Sequence, residues 1–211
     1  MSERIEGLSK GQKTQEQIIR AAIKQFSRQG YEEVSLQVIA DACGISRTAP
    51  LYHFGSKLGL FEKMVEYVQK KKMEVLLSPE NIKISDNAFQ RLNKFAKAYI
   101  SWNFIYSSEA EVFLQLYYFS AHNNNFATLY KNLIENERKI IEEILLAGQR
   151  ESIFHFKEPS QQLANILYSQ ITGLSIFFLA GRFQAFDRNE FDAAFSATLA
   201  KMTGYQSRAQ I

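Results

Sequence analysis

Arg47, Thr48 and Ala49 stand at the head of a short run that continues through Tyr52 and His53 to Lys57. The chemistry these side chains offer is recognition of a polyanion. A guanidinium can pair with a guanine edge, a threonine hydroxyl reaches a base or a phosphate, and an alanine methyl lets a backbone approach or meets a thymine methyl. Phenol, imidazole and ammonium groups on the following turns suit phosphate oxygens. Helix punctuation frames the run: Gly44 tolerates a left-handed stop, Ser46 can cap a new helix, Gly55 breaks it and Ser56 can cap the next. A helix end, a turn, a short second helix and a basic exit between Ala40 and Lys57 predict a DNA-reading helix-turn-helix. Ser35, Gln37, Ser46, Arg47, Thr48, Ala49, Tyr52, His53 and Lys57 are its candidate contacts, and the amides near Ser35 and Ser56 add anion sites at helix starts.

Several helices are needed to hold that run. A first helix is expected from about Lys13 to Gln29, with Ile19, Ala22, Ile23 and Phe26 on one face and Gly30 at its end. Ser35 caps a second, in which Leu36, Ile39, Ala40 and Cys43 repeat the apolar spacing, and Ile45 points back into the three-helix core. The third spans only about Arg47 to Phe54, with Phe54 a core residue, and the fourth draws its apolar side from Leu60, Phe61, Met64, Val65 and Val68. Lys70, Lys71 and Lys72 close the fourth and read as a solvated helix end, where cations suit the dipole. Pro79 and the polar stretch to Asp86 look like a connection, and every later segment reads helical: about Asp86 to Ser107, Glu109 to His122, Asn125 to Ser152, Ser160 to Phe183 and Arg188 to Thr203. The expected fold is all-α, with a mobile arm over 1–10, a helix-turn-helix domain over 11–57, a connecting helix over 58–78 and a larger helical domain over 79–211.

Composition narrows the function. The net charge is only +3, but residues 1–73 hold 12 Lys+Arg against 8 Asp+Glu while residues 74–211 hold 13 against 14, so the positive excess travels with the suspected helix-turn-helix. The single cysteine, Cys43, forms no intrachain disulfide and reads as a small apolar filler, which fits a reducing cytoplasm. The apolar stretch Ile171 to Ala180 is about half of the roughly 20 residues a membrane span needs, and the N-terminus lacks a secretory pattern, so neither a span nor export is expected. His53, His122 and His155 form no two-histidine metal spacing, and no phosphate loop or nucleophile elbow occurs, so neither metal nor cofactor is expected and an enzyme is only a remote alternative. Glu135, Glu137, Glu142 and Glu143 read as a solvated helix face beside Arg138 and Lys139.

The residues from about Gln12 to Leu60 resemble the DNA-binding domain of TetR-type transcriptional regulators. The likeness rests on Gly30-Tyr31, Ile39-Ala40, the Gly44-Ile45-Ser46 turn and the exit His53-Phe54-Gly55-Ser56-Lys57. Three positions depart from the family pattern. Leu51 stands where a tyrosine is usual and Tyr52 follows it, Val34 replaces a threonine before the second helix, and Pro50 is expected to distort the recognition helix by removing an amide donor. The resemblance implies a homodimeric repressor that binds a palindromic operator in double-stranded DNA and releases it on binding a small molecule. An activator, or a regulator of the same fold controlled by a protein partner, is the alternative.

Apolar stripes on the last two helices fit an intersubunit four-helix bundle: Leu163, Ile166, Leu167, Ile171, Leu174 and Phe178, then Phe191, Ala194, Phe195, Thr198 and Met202. Residues 74–211 also hold 14 of the 17 phenylalanines, seven of the ten tyrosines and the only tryptophan, enough rings to line a cavity. Trp102, Phe104, Tyr106, Phe113, Tyr117, Tyr118, Phe177 and Phe178 are therefore candidate contacts to a hydrophobic or aromatic effector, with Asn103 and His122 as polar anchors.

Overall fold

The computed structural model describes residues 9–181 and 188–206, and among these all regular structure is helical. Nine helices follow in order: α1 Lys10–Gln29, α2 Leu36–Cys43, α3 Ala49–Phe54, α4 Lys57–Leu76, α5 Ala88–Ile105, α6 Ser107–Ser120, α7 Asn124–Arg150, α8 Ser160–Gly181 and α9 Arg188–Thr203. α1 starts three residues earlier than its apolar spacing suggests because Ser9 and Gln12 form a reciprocal capping box: the Gln12 amide donates to Ser9 Oγ at 3.3 Å and the Ser9 amide to Gln12 Oε1 at 2.8 Å. The cap satisfies two amides that a bare helix start would leave unpaired. The same device, Asn87 with Gln90, opens α5.

The chain divides into two compact units. One takes the chain up to Lys71 together with Ser108–Leu129; the other takes Lys72–Ser107 and Tyr130 to the C-terminus. In the first unit α1 packs on α2 and α3, burying Ile18, Ile19, Ala22, Ile23 and Phe26 against Val34, Ile39 and Ala40, while Ile45 is only half-buried. A ring cluster continues this core: Tyr31, Phe61 and Phe126 meet edge to face, with centroids 5.1 Å apart for Tyr31–Phe61 and 5.2 Å for Phe61–Phe126, and Phe26 meets Phe61 edge to face and lies tilted against Tyr31. Each buried ring contributes about 1.5–3 kcal/mol by leaving water, and an edge-to-face contact adds about 0.5–1.5 kcal/mol. This cluster fixes the turn after α1, and so the helix-turn-helix that follows it.

In the second unit α5 packs against α8 and α9 around Leu92, Phe95, Ala96, Tyr99, Leu163, Leu167, Ile171 and Leu199. The segment after α9 is tied back by backbone bonds, His155 donating to the Thr203 carbonyl at 2.9 Å and Gln206 to the Ile153 carbonyl at 3.0 Å, and Tyr205 stacks on Phe89 at 3.9 Å. The apolar stretch of α8 is longer than Ile171–Ala180. Ser160–Leu179 is long and apolar enough to cross a membrane by length and composition, but Leu163, Ala164, Leu167, Tyr168 and Ile171 are buried within the unit.

Candidate nucleic-acid interface

Two caps and one glycine set the geometry of α2 and α3. Ser35 Oγ accepts the Val38 amide at 3.2 Å, and Gly44 closes α2 in the left-handed region, φ 64° and ψ 33°, with its amide directed at the Ala40 and Asp41 carbonyls. A side chain at residue 44 would strain that corner and tilt α3. Ser46 is not the cap of α3, contrary to its sequence position. Thr48 takes that place with a helical backbone and no side-chain cap bond, while the Ser46 carbonyl accepts the Ala49 amide at 3.0 Å and its hydroxyl lies 3.3 Å from Thr48 Oγ1.

Pro50 does not distort the helix either. It sits in the first turn, where amides have no intrahelical acceptor, so no bond is lost, and its ring is buried. α3 runs on to Phe54, which is half-buried rather than fully interior, and Gly55 ends it with its amide 2.8 Å from the Leu51 carbonyl.

The side chains of α3 then divide by role. Ser46, Arg47 and Thr48 are exposed, as are Ser35 and Gln37 at the start of α2, and Tyr52 is 85% exposed, so an aromatic ring stands out from a rigid frame. Ala49 and His53 are half-buried, with His53 wedged between Tyr52 and Phe54 at centroid distances of 5.2 and 6.2 Å. Lys57 turns inward: its ammonium donates to the Glu32 carbonyl at 3.0 Å and lies 4.4 Å from the Tyr31 ring centroid. It therefore anchors the loop before α2.

Of two further residues in this region, Leu51 was expected only as a departure from the family pattern, and Gly59 escaped the sequence reading. Leu51 is 53% exposed beside Tyr52, giving α3 an apolar outward patch. Gly59 lies where a Cβ would come 2.3 Å from the Phe54 carbonyl oxygen, so only glycine lets the first turn of α4 approach the end of α3. The signal was available: a glycine three residues after the Ser56 cap, inside an apolar-periodic helix. Cys43 is half-buried, and burial pushes its thiol above the ordinary value, which disfavours the reactive thiolate; Gln17 bonds its carbonyl at 2.9 Å.

The matches to known proteins concentrate on this frame. Residues 18–64 match the family model described as bacterial regulatory proteins, tetR family. This segment, less than a quarter of the chain, is of the TetR type. Among curated relatives, the "Probable acrEF/envCD operon repressor" of Escherichia coli K12 is 40% identical over 52 residues, 25% of this chain and 24% of that protein. The chain thus spans about a quarter of that relative's length. The regulator BetI of Vibrio parahaemolyticus is 24% identical over 147 residues, 66% of this chain and 72% of its own. Solved structures share the fold at low identity. A candidate transcriptional regulator from Saccharomonospora viridis in complex with choline superposes with TM-score 0.75 at 21% identity, covering 90% of this chain and 96% of that one. Salmonella enterica GusR does so with TM-score 0.75 at 17% identity, covering 93% and 98%.

Outside the TetR-type segment, the candidate effector contacts are divided. Trp102, Asn103, Phe104, Tyr106, Phe177 and Phe178 belong to the second unit, whereas Phe113, Tyr117, Tyr118 and His122 belong to the first, so neither unit gathers them all. Trp102 stacks on Tyr106 at 5.6 Å and Asn103 donates to the Tyr99 carbonyl at 2.9 Å, so both are engaged in packing, while Phe104 and Phe177 are exposed. The candidate dimer stripes are divided too. Leu163, Leu167, Ile171, Phe178 and Phe195 are buried in the chain's own core, Leu174, Phe191 and Met202 are half-buried, and Ile166, Ala194 and Thr198 face outward.

Two charges thought to be solvated are not. Lys72 and Glu137 are buried together in the second unit, Nζ to Oε1 at 2.8 Å, with the ammonium 3.5 Å from the Tyr99 ring centroid and the Tyr99 hydroxyl donating to Glu137 Oε2 at 2.9 Å. Burial drives the ammonium below its ordinary value while Glu137 opposes that, and burial followed by the Glu137 charge holds the Tyr99 phenol well above its own. Spacing explains the placement. Lys72 continues the stripe Val65, Val68 and Leu76, and Glu137 lies on the stripe Leu133, Ile141 and Ile144, so each falls on a core-facing side of its helix.

Proposed function

We propose that this chain is a transcriptional repressor that binds a palindromic operator as a homodimer and is released by a small hydrophobic or aromatic effector. The observation that carries the reading is the outward display of Arg47, Thr48 and Tyr52 on and just before a short helix that buried Pro50 seats in the first unit and that Gly44 and Gly55 bound on either side. Arg47 and Thr48 are assigned to base edges, and Tyr52 and the helix-start amides near Ser35 and Ser56 to phosphates. Two copies of α3 about 34 Å apart would read one face of the duplex. The outward residues Ile166, Ala194 and Thr198, with exposed Phe177, supply the face for a second copy. The repressor name of the Escherichia coli relative and the choline complex of the Saccharomonospora viridis neighbour support regulation by a small ligand.

The test is an anisotropy titration of the folded protein with the DNA flanking its own gene. Operator affinity in the range of about 10⁻⁸–10⁻¹¹ M, falling steeply with salt and at least about 1,000-fold above unrelated DNA, is the expected result. A folded protein that binds both DNAs alike, or neither, overturns the reading. Target transcripts that fall rather than rise on deletion of the gene would make it an activator.

A further inference from the structure

The outward face of α3 carries one side chain that neither hydrogen bonding to base edges nor phosphate binding can use. Leu51 is 53% exposed, and all its isobutyl group can do in a nucleic-acid interface is leave water against another apolar group. A lone exposed leucine is ordinary on a protein surface. This one is set apart by its neighbours.

The first is Pro50, which is buried, while His53 and Phe54 are half-buried, so α3 is held in the first unit by that side and turns Leu51 away from it. The second is Thr48. The Tyr52 amide donates to the Thr48 carbonyl at 2.9 Å and the Gly55 amide to the Leu51 carbonyl at 2.8 Å, so helical spacing runs from Thr48 to the end of α3. At that spacing residues three and four apart share a face, which places Leu51 and Tyr52 one turn beyond Thr48. Arg47 stands just ahead of them, and all four side chains are exposed. Leu51 is therefore continuous with the groups already assigned to base edges.

The distance suits a neighbouring base. Three residues of helix rise by about 4.5 Å, between one and two base-pair steps of about 3.4 Å. The residue types suit it as well. From Arg47 to Phe54 there is no carboxylate to accept a proton from a cytosine amino group, and Ala49, the other apolar side chain of the first turn, is half-buried. Leu51 is left as the apolar group that the first unit presents beside Thr48.

We propose, on the DNA-binding reading above, that Leu51 reads the 5-methyl group of a thymine in the major groove of the operator, within about two base pairs of the base met by Thr48. Thymine is the one base of the four that shows an apolar group there. A purine would set its N7 acceptor against the leucine and lose the water that satisfied it, so the contact selects against purines as well as for the methyl. Tyr52, on the adjoining flank, keeps its role toward phosphate.

The test removes single methyl groups from the DNA. A duplex from the flanking sequence that the protein binds is rebuilt with deoxyuridine, which differs from thymidine only in lacking that methyl, at one thymine after another, and each version is titrated by anisotropy at constant salt. At least one substitution should weaken binding about fourfold, the worth of one buried methyl. Leu51→Ala should bind the thymine and uracil versions of that position alike. Tyr52→Ala should weaken both versions equally and keep the fourfold preference. Both side chains meet water, and circular dichroism checks that each variant is folded. A duplex in which no thymine methyl matters, a preference that survives in Leu51→Ala, or one that is lost with Tyr52 overturns the proposal. Operator binding by the unaltered chain is read in the same titration: a protein that holds the operator and ignores every methyl sinks this assignment alone, whereas one that binds no DNA sinks the operator reading with it.

Discussion

Side chains that look equivalent in the sequence do opposite things here. Tyr52 and Lys57 were both candidate phosphate contacts, yet Tyr52 is 85% exposed and Lys57 is committed to the Glu32 carbonyl and the Tyr31 ring. Tyr52→Ala should therefore cost about 1–3 kcal/mol of DNA affinity by anisotropy with the denaturation midpoint unchanged. Lys57→Met should instead lower unfolding stability by about 1–2 kcal/mol in a urea titration, because a carbonyl loses its donor and a ring its cation. Glu16 gives a pH test. Its carboxyl is held below the ordinary 4.5, chiefly by the Arg20 guanidinium at 2.6 Å, against burial, and helped by the Tyr67 hydroxyl at 3.1 Å. A lowered carboxyl contributes stability that is present above its unfolded value and lost as pH falls through the folded one. Glu16→Gln should flatten the acid limb of the stability profile below pH 4.5 by about 0.5 kcal/mol, a small figure because Arg20 is 45% exposed.

At the scale of elements, much was written in the local code. Apolar spacing located nine helices, and Ser35, Gly44 and Gly55 marked the ends of α2 and α3 where the structure has them. What the code hid was pairing at a distance. Lys72 belongs to α4 and Glu137 to α7, 65 residues away, and each taken alone looks like a solvated charge on its own helix. Only the neighbouring stripe could have hinted that both point inward. The same blindness assigned Leu163, Leu167, Ile171, Phe178 and Phe195 to a second subunit, because an apolar face does not say which partner covers it; all five are buried in this chain. Removing one member of the buried pair strands the other. Lys72→Met or Glu137→Gln alone should cost about 3–5 kcal/mol by chemical denaturation, and the double variant much less than the two together. Simple additivity would mean that the two charges do not stabilise each other.

For the whole molecule the open physical question is what covers the outward sides of α8 and α9. Ile166 is 47% and Phe177 55% exposed, on a helix that also presents Gly173, and α9 presents Ala194 and Thr198. Small residues beside large apolar ones let helices from two chains approach closely, which is the packing a four-helix seam needs. A stable interface of this kind buries about 1,600 Å² in all, and its central residues carry most of the energy. An aspartate placed there leaves the monomer's own core untouched, since both side chains already meet water, but forces a charge into any seam that forms. Ile166→Asp combined with Phe177→Asp should therefore leave the helical spectrum and the denaturation midpoint of the monomer intact while weakening self-association about 100-fold or more in analytical ultracentrifugation. Operator binding should fall with it, because a single α3 reads only a half-site and loses the effective concentration of its mate. If the double variant still sediments as a dimer and still holds the palindrome, the second copy sits elsewhere, and the exposed face of α8 has another occupant.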